Sequence, residues 1–276
     1  MPMHESIDGV VVRVQDKGSL DRYLSVLTAS RGRISMLAKG SRSMKGTQMG
    51  VSQLYTYGNF EYYRRGDFNI LKGGSVHEHF YSLSMDIDRM NLAAYLCDVT
   101  CEVTDEGEEA SDVLRLLLNS LYAISHDRYA QETVKGAFEW RIAALSGYAP
   151  EMSGCALCGA ECSDLMYLDV MNGALLCSDC MKKRGNVGKR AGDFDDIREA
   201  DVLCPLSPAA LAALQYCLAA PLERLFSFGL KSEEDRRAFS KAAQTYLLSH
   251  LGRGFDSLNF YLTLRDSVVP AKGKKL

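Results

Sequence analysis

Cys155, Cys158, Cys177 and Cys180 form two Cys-x-x-Cys pairs separated by eighteen residues. Each such turn presents two thiolates to one metal, and a second pair completes a tetrahedron. Zinc with four sulfur ligands is the usual product of this spacing. The first pair lies in Cys155-Ala156-Leu157-Cys158-Gly159, and the second follows the Asn172-Gly173 turn, so each half reads as a knuckle on a short hairpin. Four protein ligands leave no position for water, which makes the zinc structural rather than catalytic. Cys162 is a fifth thiol within reach and an alternative to Cys158, but it would leave an unmatched Cys-x6-Cys. The motif staples a fold without naming an activity.

The residues before the motif alternate and turn like strands. Ile7, Val10, Val12 and Val14 sit among polar residues in one run. Tyr23–Thr28, Arg33–Ala38, Tyr55–Tyr63 and Asn69–Leu71 give four more. Five short strands with internal glycines predict a small barrel, with the OB-fold as the leading candidate. From Leu83 the period becomes helical, with Met85, Leu92, Leu96, Val99 and Val103 in one stripe. Further helices are predicted over Val113–Ile124 and Thr133–Ser146, from Pro208 behind the cap Ser207, and from Ser232 to about Leu251. Phe138, Trp140, Ile142 and Leu145 are expected in the helical core. The fold class is therefore α+β. An OB-fold barrel over residues 1–78 precedes an α-helical domain over 79–276, into which a zinc finger is inserted at about 149–184.

Charge is unevenly spread behind a formal net of -3. Between Gly9 and Gly50 stand eight basic residues, Arg13, Lys17, Arg22, Arg31, Arg33, Lys39, Arg42 and Lys45, against Asp16 and Asp21. Between Glu78 and Asp112 there are ten acids against the single Arg89. Localised positive charge on an OB-like barrel predicts a polyanionic partner for that module. Nine cysteines with no apolar leader in Met1–Asp8 fit reduced thiols in a cytoplasm. No apolar run approaches the roughly eighteen residues that span a bilayer, so no membrane partner is expected.

The sequence carries no recognisable catalytic pattern. Gly188-Lys189 lacks the first glycine and the Ser or Thr of a phosphate loop, and neither Gly-x-Ser-x-Gly nor His-Glu-x-x-His occurs. His77 and His79 share a strand face without an obvious third ligand. A nucleotidyl-transferring enzyme such as a ligase would need Lys-x-Asp-Gly, which is absent. A protein-binding scaffold that uses the barrel as its surface is the other alternative to a DNA-binding protein.

Gly9-Val10-Val11-Val12-Arg13-Val14, Asp21-Arg22, Gly32-Arg33-Ile34 and Ala38-Lys39-Gly40-Ser41-Arg42 resemble the N-terminal barrel of the bacterial recombination mediator family RecO. Phe138-Glu139-Trp140-Arg141, continuing through Leu145–Pro150 to the first knuckle, resembles that family's junction between helix and zinc. The resemblance covers barrel, helices, knuckles and helices in order. It implies a protein without enzymatic activity that binds single- and double-stranded DNA and anneals complementary strands. It also implies cooperation with RecR, engagement of the C-terminal tail of single-strand-binding protein (SSB), and help in loading RecA, in the cytoplasm at the nucleoid. The expected DNA contacts are Arg13, Arg22, Arg31, Arg33, Lys39, Arg42 and Lys45, of which Arg22, Arg33, Lys39 and Arg42 match basic positions of the family. Two departures stand out. The loop Ser41–Gly50 is less basic than is usual, and Phe255-Asp256-Ser257-Leu258 replaces a more cationic element after Gly252-Arg253.

Overall fold

The alternation of β1 is interrupted by one extra residue, and that residue decides which valines meet. In the computed structural model, which describes residues 4–43, 48–161, 164–187 and 202–268, β1 (His4–Lys17) pairs with β2 (Asp21–Thr28). Val11 stands opposite Val26 and Arg13 opposite Ser25, so Val12 is a bulge. A bulge shifts the phase of a strand. Ile7 and Val11 face inward before it and Val14 after it, whereas Val10 and Val12 are buried outside the barrel's core cluster. The alternating set Ile7, Val10, Val12, Val14 expected from the sequence is thereby corrected.

Three more strands follow, β3 (Gly32–Ala38), β4 (Thr56–Arg65) and β5 (Phe68–His79). They close a barrel in the order β1-β2-β3-β5-β4, with β4 paired back to β1. All neighbours are antiparallel except the short parallel contact of β3 with β5, where Met36 meets Asn69 and Leu37 meets Ile70. Val11, Leu24, Val26, Ile34, Met36, Phe60, Tyr62 and Leu71 fill the interior.

Three helices come next, α1 (Tyr81–Ser84), α2 (Ile87–Glu102) and α3 (Ser111–Ser125). Asp86 caps α2 by accepting the amides of Asp88 and Arg89. That cap starts the helix later than the expected stripe. Leu92, Leu96 and Val99 are buried as foreseen, but Met85 lies before the cap and is 87% exposed. The segment between α2 and α3 runs along the β2–β3 hairpin. Arg33 donates its amide to Asp105 O at 3.2 Å, Gly107 to Arg31 O at 2.9 Å and Ala110 to Ala29 O at 2.7 Å. Gly32 permits this approach: its φ is +57°, and a Cβ there would lie 1.9 Å from Asp105 O.

A second set begins with α4 (Gln131–Leu145) and continues through β6 (Glu151–Cys155), β7 (Met166–Asp169), β8 (Ala174–Cys177), α5 (Ser178–Val187), β9 (Leu203–Leu206) and α6 (Pro208–Ala219). A 3-10 turn at Leu222–Arg224 precedes α7 (Glu233–Leu251), and α8 (Asp256–Val268) follows. The small sheet has the order β6-β8-β7-β9, with Pro205 on an edge strand where its missing donor is harmless. Ser207 accepts the amide of Ala210 and Ser232 that of Asp235, so both expected caps are present. α4 is buried nearly all round. Phe138, Trp140 and Ile142 lie in the core as expected, while Leu145 at the last position is 36% exposed. Gly136 lets α7 approach, since a Cβ there would meet the Phe239 ring at 2.6 Å.

By compactness the chain divides into two units. One comprises the residues through Arg128 together with those from Phe255 onward, and the other comprises Tyr129–Gly254. In the first, Phe255 packs edge-on against Tyr95 of α2, and Ser257 of α8 donates to Asp98 at 2.7 Å.

Candidate metal centre and nucleic-acid interface

Each knuckle forms where a strand ends. Cys155 closes β6 and Cys158 lies in the turn after it; Cys177 closes β8 and Cys180 lies in the first turn of α5. The two strand ends are brought together because β6 runs parallel to β8, with Cys155 beside Leu175. All four sulfurs fall within 4.8 Å of one another. Main-chain amides point at them: Cys177 N–H donates to Cys155 Sγ at 3.3 Å and Cys180 N–H to Cys177 Sγ at 3.4 Å. Such donors stabilise thiolate charge. Burial opposes ionisation of Cys155, yet the amides of Cys177, Leu157 and Cys158 outweigh it and bring the thiol down to about 6. Cys180, hydrogen-bonded to the Cys158 and Cys177 thiols, is pushed up to about 12.

Four sulfurs at mutual contact distance, with three of the four cysteines buried, fit one metal ion. Among the described residues no other group of His, Cys, Asp or Glu is close enough to do so. His77 faces Asp8 at 3.4 Å and His79 faces Thr56 Oγ1 at 3.1 Å, without a third ligand. Cys162, the alternative ligand, lies outside the described residues.

The expected DNA contacts separate into groups. Arg22 and Arg42 converge on Asp16, at 3.2 and 3.4 Å, where the β1–β2 hairpin meets the loop after β3. Arg42 also donates from its side chain to Gly18 O and from its amide to Leu20 O, and Asp21 accepts the Gly40 amide at 2.8 Å. These bonds tie the two loops into one surface and place Lys39, exposed and without a side-chain partner among the described residues, at its edge. Lys17 joins them: its ammonium donates to the Tyr23 hydroxyl and lies 4.5 Å from that ring's centroid. Four cations thus share a surface with two acids.

Arg13 and Arg33 are placed differently. Arg13 pairs with Asp98 of α2 at 3.1 Å, and both guanidiniums lie beside Cys101. Burial pushes the Cys101 thiol up, with Arg13 and Arg33 opposing that rise. Arg31 turns to the mouth of the barrel, where it pairs with Glu5 and donates to the Tyr62 hydroxyl at 2.8 Å. The Glu5 hydrogen bond holds its guanidinium pKa above the ordinary arginine value. Lys45 lies outside the described residues. The mouth is a cleft of about 140 Å³ floored by Ile34 and Tyr62, with Glu5, Arg31, Arg64, Asp67, Asn69 and Glu106 around it.

The structure adds cations that the sequence had left in a loop. β4 and β5 extend past Tyr63 to a tight hairpin, so Arg64 and Arg65 stand beside Gly66 and Asp67. The adjacent arginines before a glycine turn were the visible signal. The apolar run stops at Tyr63, ahead of them.

Known proteins match the chain in two successive stretches. Residues 3–80 match the family described as Recombination protein O N terminal, and residues 84–192 match Recombination protein O C terminal. The DNA repair protein RecO of Acetivibrio thermocellus is 30% identical over 256 residues, covering 93% of this chain and 95% of the relative. Those of Clostridium acetobutylicum and Symbiobacterium thermophilum are 23% and 24% identical, covering 91% and 95% of this chain and 91% and 98% of the relatives. Both halves match in order and the likeness runs nearly end to end, so the chain belongs to the RecO family of DNA repair proteins.

Proposed function

We propose that this protein is a recombination mediator that binds single- and double-stranded DNA through its barrel and anneals complementary strands. With RecR it helps to load RecA onto SSB-coated DNA, engaging the SSB tail, in the cytoplasm at the nucleoid. The observation that carries this reading is the joined surface of Lys17, Arg22, Lys39 and Arg42, built from two loops of the barrel. The strand order is that of an OB-fold, whose loop between the first two strands takes part in oligonucleotide binding.

The chemistry asked of these residues is electrostatic. Cations that neutralise two strands reduce their mutual repulsion, and base pairing then supplies the free energy, so no nucleotide hydrolysis is required. Contacts of this kind release counterions: each phosphate neutralised adds about -0.7 to the slope of log K against log salt for a single strand. The metal at the four cysteines is zinc in this reading, held in a closed sulfur site with a structural role.

The test is annealing of complementary strands precoated with SSB, without nucleotide, across a salt series. Salt-sensitive annealing should be lost in the Lys39→Ala, Arg42→Ala double variant, and its salt slope for single-strand binding should fall by about 1.4. Annealing that ignores both salt and the double substitution would overturn the assignment of this surface.

A further inference from the structure

Phe68 stands at a place where the fold gives no reason for a large apolar side chain. It is 57% exposed, and no aromatic ring packs on it among the described residues. It is the first residue of β5, paired with Arg65 across the turn Gly66-Asp67, in which Gly66 has φ +61°. The register settles its face. Phe60, Tyr62 and Leu71 point into the barrel, and Arg64, Asp67 and Asn69 line its mouth. Alternation therefore turns Arg65 and Phe68 together to the outer surface.

That outer surface leads to the cationic loops. Phe68 lies one step before the Met36–Asn69 and Leu37–Ile70 pairs, beside Ser35 of β3. Ser35 is exposed and stands opposite Ser25 of β2, on the same face as Tyr23, the residue that holds Lys17. A strip from Phe68 across β3 to Tyr23 thus ends at the Arg22, Lys39 and Arg42 surface. On the other side of the hairpin the mouth carries Glu5, Asp67 and Glu106 among its arginines, which discourages a phosphate chain from running there.

We propose that Phe68 is a base-stacking platform through which the barrel prefers single-stranded over duplex DNA, with Arg65 beside it taking the backbone. This rests on the DNA-binding reading above and adds to it the residue that discriminates between strand forms. Every base has a π-face, and a single strand can lay that face on an exposed ring. A duplex has spent those faces on its own stacking and presents phosphates and groove edges instead. The loop cations serve both forms; Phe68 serves one.

The experiment uses the full-length protein and a labelled mixed-sequence oligonucleotide, single-stranded or annealed to its complement, titrated at low salt by fluorescence anisotropy. Phe68→Ala should weaken single-strand binding about tenfold, as for loss of one stacked base, while duplex affinity stays within about twofold. Phe68→Trp should retain single-strand affinity. It also supplies an optical readout, because the chain's single tryptophan, Trp140, is fully buried. The new exposed indole should be quenched by the single strand and not by the duplex. Unchanged affinity in Phe68→Ala together with an unquenched indole would overturn the platform, even if Lys39→Ala, Arg42→Ala still weakens both forms in parallel. No salt-sensitive binding of either form by the unsubstituted protein would overturn the DNA-binding reading itself.

Discussion

Lys135 and Glu139 are one turn apart on α4, with the ammonium 2.8 Å from a carboxylate oxygen and both side chains all but sealed from water. In the sequence they are an ordinary i,i+4 pair of the kind that decorates exposed helix faces. Nothing local marks them as buried, because burial here is imposed by elements packing on every side of α4. Lys135→Met removes one partner of a buried charge and should cost about 3–5 kcal/mol of stability. Denaturant unfolding checks this, and a loss below about 1 kcal/mol would show that other groups satisfy Glu139. Burial lowers the Lys135 pKa, with Glu139 opposing. The folded value then lies below the unfolded one, and between the two the unfolded chain binds the extra proton. This lysine's contribution to stability therefore rises with pH across that window. The cations tell a similar story. Their positions were legible in the sequence, but the pairing of Arg13 with Asp98, far along the chain, was not. Only tertiary structure could separate cations held by acids from those such as Lys39 that stay open.

At the scale of the element, the knuckles were the most legible part of the chain, because metal chemistry fixes their spacing independently of packing. Cys177→Ser should abolish stoichiometric metal binding and lower the melting temperature of the protein, while DNA affinity at the barrel stays within about twofold. Elemental analysis and anisotropy together decide it. A fully stable metal-free protein would remove the structural role. The β1 bulge was illegible for the opposite reason. A run of three valines satisfies either phase of alternation, and the choice belongs to the partner strands. The β2–β3 hairpin depends on one position. Gly32→Ala puts a methyl into Asp105 O and strains a left-handed backbone. It should cost about 2 kcal/mol or more and release the segment that follows α2. Faster amide exchange at Arg33 and Gly107, whose donors bridge hairpin and segment, is the expected signature.

For the whole molecule, the change from strand to helical periodicity near residue 80 was visible, and the α+β class followed from it. What periodicity cannot show is which helices return to which core. α8 is separated from α2 by the entire second unit, yet packs along it, with Phe255 on Tyr95 and Ser257 on Asp98. Deleting the residues from Phe255 onward should uncover α2. Its amides should exchange faster, and the barrel unit should melt at lower temperature although no barrel residue is altered. Retained protection of α2 in that truncation would show that α8 adds nothing to the unit.

The same return of the chain has a consequence in time. Synthesis proceeds at about 5–20 residues per second, so the ribosome spends on the order of ten seconds on the second unit after finishing α3. For most of that interval the barrel and α2 are clear of the ribosome, while the helix that covers α2 does not yet exist. The N-terminal unit is thus the first begun and the last completed. A nascent chain stalled before Phe255 carries an open apolar flank beside a nearly finished barrel, which is the state in which a chaperone would meet it.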